Sequence, residues 1–266
     1  MKTSDNMSGK VMVISGGSRG IGAKTAELYI KKGYRVYELS RNGGAEGGVH
    51  IKCDISSESD VAAAFAEIGA REESIDVLVC NAGFGISGAV EFTEIKEAKS
   101  QFDVNFFGNL SVIRNALPLM REKGGNIIAV SSVAAVFAIP YQSFYSATKA
   151  GINVLCQALA NEVRPFGISV AAVMPGDIKT DFTSGRKKNE KGSEIYKSMK
   201  RSVAVMEKDE ENGMPPEKVA KLILKLGEKK KLRPLYTVGA KYKLFVFLAK
   251  LLPSSFYNRI VGKMYG

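Results

Sequence analysis

The chain runs Val11-Met-Val-Ile-Ser-Gly-Gly-Ser-Arg-Gly-Ile-Gly22 before it enters a helical pattern. The five residues VMVIS are apolar on both faces, as a strand buried on both sides must be. Four of the next seven residues are glycine. They allow a tight turn and a close approach of backbone to a bound group. A helix predicted over about 20–32 then presents its N-terminus to that turn. Free N–H groups and the positive end of the helix dipole there suit an anion such as a pyrophosphate. Glycine turns also serve ordinary strand–helix connections, so the words that follow decide the reading.

Outward from this turn, short apolar runs alternate with longer helical ones. Strands are predicted at 35–40, 49–54, 77–81, 126–131, 168–174 and 234–238, and helices at about 57–68, 97–122, 143–164 and 215–230. Such alternation predicts an α/β fold, a doubly wound sheet of about seven parallel strands with helices on both faces. Ligands in such sheets lie beyond the carboxyl ends of the strands. Gly16, Asn81, Ser132 and Pro175 each directly follow a predicted strand. Between Arg41 and Val49 lies only NGGAEGG, so a tight loop stands where a crossover helix is usual. The polar stretch 183–213 reads as a mobile loop, part of a lid over about 181–213.

The bulk composition narrows the function classes. The 266 residues are 45% hydrophobic, enough for one domain over 1–239 with a substantial core. The single His50 excludes Ser-His-Asp triads and histidine-based zinc sites, and no metal is expected. Three scattered cysteines, Cys53, Cys80 and Cys156, point to a reducing cytoplasmic compartment. The opening MKTSDNMSGK holds no apolar signal-peptide core. The net charge of +11 is uneven: residues 1–184 carry 18 Lys/Arg against 19 Asp/Glu, and residues 185–266 carry 20 against 8. A basic tail can attract nucleic acid, anionic lipid or an acidic substrate, but no nucleic-acid reading motif is present.

Six words taken together carry the chemistry: SGGSRGIG at 15–22, NAG at 81–83, Asn105 in QFDVNFFGN, Ser132, YSATK at 145–149 and PGDIKT at 175–180. Tyr145 and Lys149 are four apart on a helix and share a face. A phenol ordinarily titrates near 10, and a neighbouring ammonium would lower that value toward neutrality. Ser132 precedes the tyrosine by thirteen residues. The set resembles the short-chain dehydrogenase/reductase (SDR) family over about residues 9–239, with Ser15 in place of a threonine in TGxxxGIG and Cys80 in place of the first asparagine of NNAG.

The resemblance implies a Rossmann-type fold and the interconversion of a ketone or aldehyde with an alcohol, by hydride transfer from C4 of a nicotinamide. It implies Asn105, Ser132, Tyr145 and Lys149 as the catalytic set, with Tyr145 as proton donor or acceptor and Asn105 in a water-linked relay. It places the cofactor against Ser15, Gly16, Ser18, Arg19, Gly20, Ile21 and Gly22, against Asp54 and Ile55, and against Asn81, Ala82 and Gly83. Tyr145, Lys149, Pro175, Gly176, Ile178 and Thr180 would face the nicotinamide side. The charge pattern speaks to the cofactor independently. An acid ending the second strand would suit NAD, but here Ser40 stands there with Arg41 next and Arg19 in the glycine turn. Two guanidinium groups suit a 2′-phosphate, which predicts NADP(H).

Phe84, Val133, Phe137, Ile139, Tyr141 and Phe144 are expected to line an apolar substrate pocket, which suits a lipophilic carbonyl compound, steroid-like or long-chain. Ser131, Cys156 and Met174 are read as packing residues and Asp177 as a turn residue. Family members are commonly dimers or tetramers, so a homo-oligomer is implied. The words YTVGAKYKL and LLPSSFYNRIVGKMYG resemble the 17β-hydroxysteroid dehydrogenase-like and carbonyl reductase-like branch. Residues 240–266 form a basic amphipathic extension of two short helices. These could cap the pocket, join a partner subunit or rest as a peripheral contact on an anionic membrane. The competing reading is a non-catalytic NADP-binding sensor or scaffold that uses this tail for membrane or partner binding.

Overall fold

A computed structural model describes residues 9–265. The reading of the opening segment as free of a leader falls largely on residues 1–8, outside that range. In chain order the elements are β1 (Val11–Ser15), α1 (Gly20–Lys31), β2 (Arg35–Ser40), β3 (Val49–Lys52), α2 (Glu58–Gly69), β4 (Val77–Cys80), β5 (Ile86–Ser87), α3 (Ile95–Phe102), α4 (Asn109–Met120), β6 (Gly125–Val130), α5 (Ser143–Glu162), β7 (Ile168–Met174), β8 (Lys187–Lys188), α6 (Met199–Glu211), α7 (Pro216–Gly227), β9 (Leu235–Thr237), α8 (Ala240–Leu251) and α9 (Ser254–Tyr265).

Seven strands form one parallel sheet in the order β3-β2-β1-β4-β6-β7-β9. The alternation of side chains explains why both faces need helices. Val11 and Val13 of β1 enter one core with α2, α4 and α5, while Met12 and Ile14 enter the other with α1 and α7. The strand order reverses between β1 and β4, and the carboxyl ends of both open into one cleft. This is a Rossmann-type fold, and its seven parallel strands agree with the sequence reading.

Three local departures matter. The helix predicted over 97–122 is broken: α3 and α4 are joined by a π-helical turn over Asp103–Gly108. The stretch 183–213 is no loop. It holds β8, which pairs with β5, and the helix α6. Its helical signal is sparse but present, since Met199, Ser202 and Met206 fall at i, i+3 and i+7 and are the buried residues of α6. The third departure lies under the loop 42–48. Glu38 of β2 is fully buried there and accepts the Ala45 N–H at 2.9 and 3.0 Å. A Cβ on Gly44 or Gly17 would collide with that carboxylate, so the glycine-rich loop is the shape that seals Glu38.

Candidate active site

A cleft of about 610 Å³ lies beyond the ends of β1, β4, β6 and β7. Its floor is backbone. Gly16 turns at φ +70°, and a Cβ there would come within 2.8 Å of Ala82 Cα, so the glycine turn and the Asn81–Gly83 turn interlock. A Cβ on Gly22 would lie 2.0 Å from the Gly16 carbonyl oxygen. Ser15 Oγ accepts from the N–H groups of Asn81 (3.1 Å) and Ala82 (3.2 Å), and Asn81 Nδ2 donates to Gly16 O at 2.9 Å. Ser15 and Gly22 therefore do not line the cleft; they set the shape of its floor. Ser18, Arg19, Gly20 and Ile21 do line it, and Arg19 gives α1 no side-chain cap. The first-turn N–H groups of that helix are therefore left for an anionic group, which fits a dinucleotide pyrophosphate.

At one end lie Ser40, Arg41, Asp54 and Ile55. The Asp54 carboxyl is held below its ordinary range: hydrogen bonds from Ser56 and the nearby Arg41 guanidinium outweigh the burial that opposes them. Arg19 turns elsewhere, its guanidinium close against Gly185. The structure thus sets the two arginines against different neighbours rather than side by side. The one acid of β2, Glu38, is spent inside the fold and does not reach the cleft.

Toward the other end stand Ser132, Tyr145 and Lys149. Ser132 follows β6 in extended backbone and its Oγ accepts the Ala134 N–H at 3.1 Å. Tyr145 and Lys149 share the inner face of α5. Lys149 is buried; its Nζ donates to Val130 O at 2.8 Å and lies 5.7 Å from the Tyr145 ring centre. Ser131 lines the cleft but directs its hydroxyl to Lys149 O (3.0 Å). Burial pushes the Tyr145 phenol up to about 12, against a hydrogen bond with Ser132 and the Arg186 charge that lower it. Burial also pushes Lys149 down to about 8. Burial is the largest cause of both shifts.

Asn105 is fully buried in the π-helical turn and reaches two other segments. Its Oδ1 accepts the Phe84 N–H (2.9 Å), and its Nδ2 donates to Phe84 O (2.9 Å) and Thr148 Oγ1 (3.3 Å). It stands behind the cleft wall rather than in it. Asn109, not singled out from the sequence, ties the same turn to Ala82 O at 3.1 Å. The pair falls four residues apart, a spacing visible in QFDVNFFGN.

The sequence model of the short chain dehydrogenase family matches residues 10–191. The chain belongs to the SDR family. It is 37% identical over 230 residues to the 3-ketodihydrosphingosine reductase of Bacteroides thetaiotaomicron, covering 84% of this chain and 86% of that protein. It is 36% identical over 183 residues to the mouse 3-oxoacyl-[acyl-carrier-protein] reductase, covering 65% and 78%. Among solved structures, a short-chain dehydrogenase from Streptomyces avermitilis superposes with a TM-score of 0.81 at 29% identity, covering 92% and 93%. The chain is thus an SDR oxidoreductase with a nicotinamide cofactor site. None of these three names belongs to the 17β-hydroxysteroid dehydrogenase-like branch, so that likeness stays one of C-terminal words alone.

In this SDR the substrate-side wall differs from the expected one. Phe84, Val133 and Ile139 line the cleft, as do Pro175, Gly176, Ile178 and Thr180. Phe137, Tyr141 and Phe144 do not. Phe137 packs edge-on against Tyr257 of α9 at 5.9 Å. Tyr141 sits at φ +61° and is held away by a 2.7 Å hydrogen bond to Ser198 Oγ. Phe144, one residue before Tyr145, points about 100° round the helix from it. Their places are taken by residues the sequence did not reveal: Gln142, Asp177, Phe182 and Glu210.

Gln142, Phe182 and Glu210 connect the lid to the tyrosine through Arg186. The Phe182 ring lies 5.5 Å from the Tyr145 ring, and the Arg186 guanidinium 5.7 Å from Phe182. Arg186 is fully buried and pairs with Glu210 Oε1. With its amide oriented to suit its neighbours, Gln142 accepts from Arg186 Nη2 (3.2 Å) and Nε (3.3 Å). Thr183 Oγ1 donates to Glu210 Oε2 at 2.6 Å. Burial holds the Glu210 carboxyl above its ordinary range despite the arginine. Asp177 is more than a turn residue, since it accepts the Tyr242 hydroxyl, and the Tyr242 ring fills the space beside Gly176. The tail therefore borders the cleft.

Proposed function

We propose that this oxidoreductase is an NADP(H)-dependent carbonyl reductase, or alcohol dehydrogenase in reverse, acting on a lipophilic long-chain substrate. The observation that carries the reading is the Tyr145 phenol, facing Ser132 above a buried Lys149, in the same cleft as an uncapped helix N-terminus. When bound, the nicotinamide supplies or accepts the hydride. Tyr145 gives its proton to the carbonyl oxygen, and burial, which holds the phenol above its ordinary range, keeps it in the protonated form that this step needs. Ser132 donates to the same oxygen as negative charge grows on it. Lys149, fixed by Val130 O, would hold the cofactor ribose with its remaining protons, and Asn105 holds the Phe84 backbone.

NADP(H) is favoured by Arg41 and Ser40 at the cleft and by the engagement of Glu38 elsewhere. Phe84, Val133, Ile139 and Phe182 supply an apolar wall. Two of the relatives carry names that specify a 3-keto or 3-oxo compound, which supports a long-chain ketone as substrate class. A homo-oligomer in the cytoplasm fits the family resemblance and the three buried free thiols.

Tyr145→Phe tests the mechanism. Turnover of NADPH with long-chain ketones should fall about 10²–10⁴-fold, while NADPH affinity by fluorescence titration stays within about twofold. Near-wild-type turnover would overturn the assignment.

A further inference from the structure

The two terminal helices bury little of their apolar surface. Of fifteen exposed large hydrophobic residues among those described, eight fall between Leu244 and Met264. On α8, Leu244, Phe247, Leu248 and Leu251 recur at three- and four-residue spacing and form one outward stripe. Leu251 is 66% exposed and Phe247 57%. The opposite side of α8, with Tyr242 and Val246, is the side that meets the protein. On α9, Phe256, Ile260 and Met264 form a second outward stripe, while Val261 and Tyr257 face inward. Each helix thus has an apolar stripe beyond the one its own fold needs.

The charges around these stripes identify the occupant. Residues 240–266 contain Lys241, Lys243, Lys250, Arg259 and Lys263 and no Asp or Glu. Lys243 and Lys250 flank the α8 stripe on one side and Lys241 on the other; Arg259 and Lys263 flank that of α9. A second copy of the same face would bring like charges together. An anionic surface with an apolar interior complements both features at once. Neither helix, at 12 residues, is long enough to cross a bilayer, and no described helix is. A helix of this kind lies in the interface plane.

We propose that α8 and α9 form a docking face for an anionic lipid bilayer. Because Tyr242 of α8 abuts Gly176 and bonds to Asp177, both of which line the cleft, docking brings that end of the cleft near the membrane. That consequence rests on the reductase reading; the docking itself does not.

The test is flotation of the full-length protein with phosphatidylcholine vesicles and with phosphatidylcholine–phosphatidylglycerol vesicles. Binding should require phosphatidylglycerol and weaken as salt rises. Lys243→Glu with Lys250→Glu should weaken it at least fivefold per residue, the effect of about 1 kcal/mol for each lysine. Leu244→Ser, Phe247→Ser and Leu251→Ser together should weaken it by more than a hundredfold. Circular dichroism and turnover of a water-soluble ketone should be unchanged in both variants, which separates lost docking from lost folding or chemistry. Failure of the wild type to float with anionic vesicles overturns the proposal. So does undiminished binding by the triple variant, or a wild-type dimer that this variant dissociates while vesicles capture nothing.

Discussion

The cleft has two unlike walls. The wall made by the ends of β1 and β4 is backbone, locked from behind by the Ser15 hydroxyl and the Asn81 amide: Gly16, Gly22 and Ala82 fit with almost no freedom. The wall made by residues 181–211 is side chain held by side chain: Arg186, Glu210, Gln142 and Phe182. Under the proposed function the first would hold the cofactor, whose shape is fixed, and the second would meet the substrate. A backbone cradle tolerates no added atom, whereas a side-chain cluster can be exchanged residue by residue without altering the sheet.

The sharpest way to break this contrast is to open the second wall. Arg186→Leu leaves the Glu210 carboxylate buried without its cation, a change that costs on the order of 3–5 kcal/mol. Urea unfolding should show the loss, and limited proteolysis should cut within 181–211 first. Arg186→Leu with Glu210→Leu should recover most of the stability, because two apolar side chains leave no orphaned charge there. If the single variant is as stable as wild type, the cluster does not hold the lid.

The next effect lies between the walls, at Lys149. Its pKa is depressed to about 8 when folded, against about 10.5 when unfolded. Between these values the unfolded chain binds more protons, so stability rises with pH across about 8 to 10.5 and the buried ammonium is a burden below that window. Lys149→Met should therefore raise unfolding free energy near pH 7 by about 3 kcal/mol, flatten the alkaline rise, and lower turnover by about 10²-fold. Urea titrations at about pH 7 and about pH 10 check the sign. A variant less stable than wild type at neutral pH would mean that the bond from Nζ to Val130 O outweighs the cost of burial.

How far each wall could be read from the sequence follows from the same contrast. The glycine turn, the Asn81–Gly83 turn and the Tyr145/Lys149 spacing are local, because backbone conformation and helix periodicity leave their mark within a few residues. The alternation of strands and helices was legible for the same reason, whereas the order of the strands in the sheet came only with the structure. The lid was not legible. Arg186 meets Glu210 across 24 residues and Gln142 across 44, and no local pattern announces such partners. The turn at Asn105 escaped notice because a π-helical turn keeps the composition of a helix; Gly108 within it leaves no room for a Cβ against Ile55 O. Glu38 reads as one more polar residue in a strand until the loop above it is seen. The aromatic residues Phe137, Tyr141 and Phe144 were assigned to the pocket by proximity in sequence, whereas the direction of each side chain decided otherwise.

The smallest effect sharpens the first wall. If that wall binds by backbone alone, only its outer edge distinguishes one dinucleotide from another. Arg41 is exposed and lies near Asp54, so under the proposed function its charge would reach a 2′-phosphate through partial solvent. Arg41→Ala should raise the KM for NADPH about tenfold, on the order of 1.4 kcal/mol, and leave the KM for NADH unchanged. Restoring an acid with Ser40→Asp should move preference toward NADH, since a carboxylate there can take the ribose hydroxyls that Glu38, sealed beneath Ala45, cannot reach. Steady-state kinetics with both cofactors separates these outcomes. Equal losses with NADPH and NADH would mean that Arg41 steadies the loop rather than reading the phosphate. The discriminating group would then be Arg19, which meets the lid at Gly185 and joins the two walls.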